Sequence, residues 1–131
     1  MTKYLILYIA SAVIFFPLDF LWLSTMGKNF YKPELGSLML DSPNLVVAGL
    51  FYLAYLVGVV MLVSAPAEGD ILKALLMGAV LGFVAYGTYD LTNLSTIAGF
   101  SPRVAAIDMA WGTALTAVSA AGGVWISRFF A

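Results

Sequence analysis

The sequence predicts an all-α membrane protein: four transmembrane helices in an antiparallel up-down bundle, forming one domain over residues 1–131. Three observations predict it. Of the 131 residues, 63% are hydrophobic and only 10% charged, whereas a soluble domain carries about 25% charged residues, and a chain this small has too much surface to cover with so few. The apolar residues gather in four stretches, at roughly 4–26, 45–64, 71–98 and 103–129, each long enough for a hydrocarbon layer that takes about 20 residues to cross. The connections after the second and third stretches are short, which makes consecutive helices antiparallel neighbours.

The first stretch carries Lys3 and an apolar run but no small-x-small cleavage site before Gly27, so it reads as a retained helix rather than a signal peptide. Pro17 lies within it and is expected to kink it, freeing the carbonyl of Val13. The connection "GKNFYKPELGSLMLDSPN", residues 27–44, holds Phe30, Tyr31, Leu35, Leu38, Met39 and Leu40, too apolar for an idle linker. A short helix lying in the interface is expected there. "SPN" at 42–44 suits the start of the second helix. "APAEGD", residues 65–70, and "GFSP", residues 99–102, are tight loops, with Ser101 and Pro102 suited to N-cap and N1. The bundle then has both termini on one side. Lys3, Lys73 and Arg128 lie at that end and Lys28, Lys32 and Arg103 at the other. Three cations against three leave the positive-inside rule silent; a cytoplasmic position for the termini follows only the habit of even-numbered bundles.

Three carboxylates interrupt the apolar stretches. Measured from the stretch midpoints at 1.5 Å per residue, Asp19 lies ~6 Å, Asp90 ~9 Å and Asp108 ~12 Å toward the end away from the termini. They therefore share one layer. Helical spacing adds neighbours: Trp22 three after Asp19, Trp111 three after Asp108, and Tyr86, Asp90 and Asn93 on one stripe, with Tyr89 beside them. The second stretch brings Tyr52 and Tyr55 to the same half without an acid of its own. Arg103 is expected to reach the layer from the rim, and Lys28 less easily. Close carboxylates without matched cations hold a proton or a cation, which makes the layer a candidate site. Asp19, Asp90 and Asp108 are also the oxygen ligands a Mg²⁺ or Ca²⁺ ion would use. The bland alternative is structural glue, the carboxylates bonding Trp, Tyr and backbone. Tyr4, Tyr8 and Trp125 read as interfacial belt, Gly78–Gly82 and Ala106–Ala110–Ala114 as packing faces, and Glu34, Asp41, Glu68 and Asp70 as solvated loop charges. "DFLWLST" at 19–25 and "DLTNLST" at 90–96 share Asp, Leu, Ser and Thr; a parallel repeat is geometrically allowed, and chance in an apolar alphabet competes with it.

The blocks "FFPLDFLWL", "FYKPELGSLM", "PNLVVAGLFYLAYLVG", "AYGTYDLTNLST" and "DMAWGT" resemble those of a bacterial integral-membrane family, domain of unknown function 2177, described as a predicted four-helix membrane protein. The resemblance runs over nearly the whole chain, and "TYDLTN" followed by D-x-x-W-G is its most specific part. It implies that Asp19, Trp22, Tyr89, Asp90, Thr92, Asn93, Asp108 and Trp111 are the recurrent polar positions. It brings no established activity, cofactor or catalytic residue. It implies a bacterial inner-membrane location and a loose association with fatty-acyl modification and stress response.

Three functions compete. In the first, a small membrane carrier or binding protein takes a proton, a cation or a small polar ligand at Asp19, Asp90 and Asp108, oriented by Tyr86, Tyr89 and Asn93 and walled by Trp22 and Trp111. Four helices are thin for a transporter, so a homodimer or larger assembly is expected. In the second, an enzyme acts on lipid, with Asp90 and Tyr86 or Tyr89 doing acid–base work; the absence of His, Cys and a phosphate loop argues against it. In the third, an accessory subunit offers its Asp layer to a basic residue of a membrane partner. No cofactor is expected, since haem, zinc and iron–sulfur ligation lack their His or Cys. Net charge −1 and the lack of a basic patch leave the lipid bilayer, not nucleic acid, as the surrounding partner.

Overall fold

The computed structural model describes residues 1–130, and every regular element in them is helical. Helix α1 covers Thr2–Met26, α2 Lys32–Leu35, α3 Leu45–Val59, α4 Ile71–Thr96 and α5 Pro102–Ser127. Four helical segments are long and apolar enough to cross a membrane: Thr2–Leu38, Leu45–Ser64, Ile71–Thr96 and Pro102–Ser127. Leu5, Ile9, Val13, Phe20, Leu72, Leu76, Phe83 and Val84 all point outward and exposed. In water that surface would be an aggregation liability, whereas lipid tails solvate it.

The first segment differs from expectation. Helix α1 continues through Pro17 and does not stop at Gly27, whose backbone stays right-handed helical at φ −56° and ψ −47°. It passes instead through a π turn, Gly27–Tyr31, into α2 and a last 3₁₀ turn, Gly36–Leu38. The chain leaves helical geometry around Gly36, at φ 56°, a conformation glycine adopts without steric cost. The connection expected to hold a separate interfacial helix thus continues the first helix for three further short turns. A second π turn, Val60–Ser64, ends the second span.

The other starts carry side-chain caps. Asn44 Oδ1 accepts from the Val47 amide at 3.1 Å, Asp70 Oδ1 from Lys73 at 3.1 Å, and Ser101 Oγ from Val104 at 3.2 Å. Asp70 is therefore a capping group rather than a free loop charge. Glu34 is likewise fastened: it accepts from Ser101 Oγ at 2.7 Å and lies 3.5 Å from Arg103 Nη1. Asp41 pairs with Lys32 across 3.7 Å in full exposure. Tyr8 turns inward and donates to the Leu53 carbonyl at 2.8 Å, so it is not a belt residue; Tyr4 and Trp125 stay exposed.

Contacts between α4 and α5 run in opposite chain order: Gly78 faces Ala117, Gly82 faces Gly112 and Thr116, and Gly87 faces Met109. Those between α1 and α5 do the same, Ser11 lying on Gly123 and Asp19 on Trp111. At one end Leu7, Val60, Val63, Ala67, Ala74 and Val124 form an apolar cluster; at the other Tyr31, Phe100, Val104 and Ala105 form one. Between them sits a layer of Phe15, Leu56 and Leu115.

The α4–α5 contact depends on missing side chains. A Cβ on Gly82 would lie 2.5 Å from the Gly112 carbonyl oxygen and 2.9 Å from the Thr116 side chain, and one on Gly112 would enter the Tyr86 ring. Gly49 and Gly58 have open space around them. We expect Gly82→Ala and Gly112→Ala to destabilise the protein by about 1–3 kcal/mol through overpacking. Gly49→Ala and Gly58→Ala should gain up to about 1 kcal/mol from helix propensity. Thermal unfolding in detergent checks the contrast, and equal midpoints for all four variants would refute the close-packed contact.

Candidate functional site

The polar layer is built from four helices. Asp19 reaches it from α1, Tyr52 and Tyr55 from α3, Tyr86 and Asp90 from α4, and Asp108, Trp111 and Thr116 from α5. Asp19 is 5% exposed and Asp90 0%; Asp108 is half-buried.

Two of the carboxylates are fastened. Trp111 Nε1 donates to Asp19 Oδ1 at 3.1 Å, and Tyr52 lies beside the same carboxylate. Trp22 Nε1 donates to the Tyr31 hydroxyl at 3.0 Å, and that hydroxyl donates to Asp108 Oδ1 at 2.8 Å. The two indoles stack face to face, 4.3 Å between centroids and 4° between planes. Two separate hydrogen-bond chains, one ending on Asp19 and one on Asp108, are thereby held against each other by a single aromatic pair.

Asp90 is different. Neither of its oxygens has a hydrogen-bond partner among the described residues. Asp108 lies beside it, close enough for the two carboxyl groups to share a hydrogen bond once one of them carries a proton. Among the described residues no lysine or arginine acts on Asp19 or Asp90. Arg103, expected to reach in from the rim, is turned to Glu34 instead and lies over the Phe30 ring, 5.7 Å from its centroid. Lys28 is exposed.

Tyr86 seats its ring on Gly112 and meets Tyr55 edge to face at 6.3 Å. Its neighbours include Tyr52, Asp19 and Asp108, so it belongs to the layer. Tyr89 does not line it in the same way. It is 56% exposed and packs edge to face on Phe100 at 6.3 Å, and Asn93 lies beside Tyr89. Asp108 and Asp90 also lie near Tyr89, so Tyr89 and Asn93 border the layer from its lipid-facing side. Among the described residues, no three carboxylates come together as a group able to hold one metal ion. Asp19, Asp90 and Asp108 share a layer without forming a common ligand set.

Tyr31 is the functional neighbour that sequence reasoning missed. In a regular helix, nine residues at about 100° each would put it half a turn away from Trp22. The wider π turn takes back roughly a quarter turn and returns Tyr31 to the Trp22 side. The sequence signal is faint: an aromatic residue with a hydroxyl in a connection already too apolar to be a linker.

Two clefts open elsewhere. One, of about 800 Å³, lies at the end where Thr2, Lys3, Glu68, Arg128 and Phe130 meet. The other is a shallow groove on the outer face of α4 and α5, lined by Ala79, Phe83, Ala106, Met109, Ala110 and Ala114 among others. Neither is lined by a carboxylate of the polar layer.

Comparison with known proteins places the chain in a wider group. A family model described as "Predicted membrane protein (DUF2177)" matches residues 4–125. The searches of curated proteins and of solved structures return no match.

Tyr31 is expected to be the keystone of the Asp108 chain. Tyr31→Phe leaves the ring in place but strips Trp22 of its acceptor and Asp108 of its donor. It should cost about 1–3 kcal/mol, the range for leaving buried polar groups unsatisfied. The same change at exposed Tyr4 should cost almost nothing. Paired thermal-melt measurements check this, and a Tyr31→Phe protein as stable as wild type would show that the chain is not formed in the folded protein.

Proposed function

The chain belongs to the DUF2177 family of predicted membrane proteins, and from that premise we propose that it is a membrane protein whose buried Asp19, Asp90 and Asp108 layer binds and releases a proton or a cation. The observation that carries the reading is the state of Asp90: fully enclosed, unpartnered at both oxygens among the described residues and beside a second carboxylate. A buried charge without a partner costs several kcal/mol. A proton shared with Asp108, or a small cation on the carboxyl group, offsets that cost.

The full burial of Asp90 favours the smaller occupants. A small polar molecule needs a cavity that its own surface fills, and both clefts described above lie away from the carboxylates. The absence of a three-carboxylate ligand group among the described residues weighs against a divalent ion. Asp90 is the exchanging group in this reading; Asp19 and Asp108 are held by their indole and phenol donors and tune it electrostatically.

The same reading assigns the protein to the bacterial inner membrane, because helical spans rather than a closed barrel cross it. Cytoplasmic termini complete the proposed topology. Activity of this kind needs no organic cofactor. The outer groove of small residues on α4 and α5 supports a homodimer, with a membrane partner subunit as the other candidate for that face.

Asp90→Asn keeps the shape of the side chain and cannot ionise. The thermal midpoint of the wild-type protein in detergent is expected to vary between mildly acidic and mildly alkaline pH, and the variant's midpoint to vary clearly less. Superimposable pH profiles for the two proteins would sink the proposal.

A further inference from the structure

The hydroxyl groups of this protein fall into two populations. On the outer faces of the helices, Ser24, Thr88, Ser95, Thr96 and Thr113 each donate to the carbonyl four residues back, and Ser127 to the one three back, at 2.6 to 2.8 Å. That is the least costly arrangement for a hydroxyl where no water is at hand. Inside the bundle the pattern changes. Ser11, Ser64 and Ser119 are at most 1% exposed, yet their hydroxyls bond to no carbonyl and to no other group among the described residues. Thr116, equally enclosed, turns its hydroxyl to Tyr55 at 2.9 Å.

These interior hydroxyls are ordered along the bundle. Asp19 and Trp111 mark the carboxylate layer. Tyr55 and Thr116 bridge α3 and α5 at the next level, beside the apolar Phe15, Leu56 and Leu115. Ser11 lies two helical turns beyond Asp19, and Ser119 two turns beyond Trp111, each about 12 Å further. Ser11 packs on Gly123, one turn beyond Ser119. Ser64 lies in the π turn Val60–Ser64, among the residues of the terminal apolar cluster with Leu7 and Val124. Gly82 clears the space that the Thr116 side chain takes up.

We propose that this string is a proton path, leading from the carboxylate layer through Tyr55 and Thr116, then Ser119 and Ser11, to Ser64 at the end of the bundle that holds the termini. The inference rests on the carboxylate reading above and names the proton as its ligand. Each hydroxyl accepts a proton on its oxygen and passes its own onward, so no atom is gained or lost; the path requires internal water to join the hydroxyls that do not touch, the role such water takes beside unsatisfied buried groups. The tyrosines act as neutral relays. The titratable groups near the carboxylate end of the path are Asp19, Asp90 and Asp108 with Tyr31, Tyr52, Tyr55, Tyr86 and Tyr89, and among the described residues no cationic side chain is one of the groups acting on Asp19, Asp90 or these tyrosines. Small-residue packing alone would account for serine at these positions, but it predicts no effect of removing only the oxygen.

The test uses the full chain in liposomes loaded with a pH-sensitive dye, with a potassium gradient and an ionophore driving protons inward. Wild-type liposomes should acidify faster than protein-free ones. Thr116→Val combined with Ser119→Ala keeps side-chain volume and should slow acidification about tenfold or more, the effect of adding about 1.4 kcal/mol to one step. Tyr55→Phe, which keeps the ring, should act in the same direction, and Ser95→Ala on the outer face should conduct like wild type. Wild-type liposomes as tight as empty ones, or a double variant that conducts like wild type, overturns the path. If the pH dependence that Asp90→Asn weakens persists in that case, the carboxylate site stands and only the path is lost. If it is absent too, both fall.

Discussion

The close approach of α4 and α5 at Gly82 and Gly112 is the constraint on which the rest of the polar interior depends. In lipid, helices gain little from burying apolar surface against each other, so tight van der Waals contact and interhelical hydrogen bonds must hold them. Gly112 provides the floor for the Tyr86 ring, and Gly82 the room for Thr116. With those two helices fixed, Thr116 meets Tyr55 of α3, and Trp111, one residue before Gly112, meets Asp19 of α1. One backbone contact therefore sets the positions of side chains on all four spans. Glycine here acts through the volume it leaves free, since neither residue has a positive φ.

The interior is stratified. Polar and apolar layers alternate along the bundle: the carboxylates and stacked indoles, then Phe15, Leu56 and Leu115 flanked by the Tyr55–Thr116 bridge, then the interior serines, then the terminal cluster. Apolar layers alone would let helices slide or rotate, because dispersion contacts are non-directional. The hydrogen bonds Trp111 to Asp19 and Tyr31 to Asp108 fix rotation, and the indole stack couples the two. Structural and functional accounts of the polar residues are thus complementary: the groups that orient the site also orient the helices.

What the sequence makes legible is what local chemistry decides. The spans follow from runs of apolar residues, and the starts at Asn44 and Ser101 from capping chemistry. The shared depth of the carboxylates follows from counting residues along straight helices. What escapes depends on departures from that regularity. The π turn at Gly27–Tyr31 changes the phase of everything after it, so residue counting misplaces Tyr31, and the expected interfacial helix is a continuation of α1. Arg103 and Glu34 find each other across a sequence distance that no spacing rule covers, which takes the expected cation away from the layer. Tyr89, next to Asp90 in sequence, packs its ring on Phe100 at the edge of the layer while Asp90 and Asp108 lie near it, a borderline position a helical wheel does not resolve.

The asymmetry among the three carboxylates is the strongest argument that the layer is more than glue. Inserting an Asp near the middle of a membrane helix costs about 2.5–3.5 kcal/mol, and a structural role must return that through bonds the folded protein makes. Asp19 and Asp108 fit such a role, each accepting from an aromatic donor on another segment. Asp90 differs: it is the most enclosed of the three, no aromatic or backbone donor reaches it among the described residues, and its neighbour is a second carboxyl group. Two adjacent carboxyl groups hold together only while a proton or a cation lies between them, since like charges repel. In the proposed reading the carboxyl group serves at this position through the one property that an asparagine or a leucine lacks, the ability to gain and lose charge.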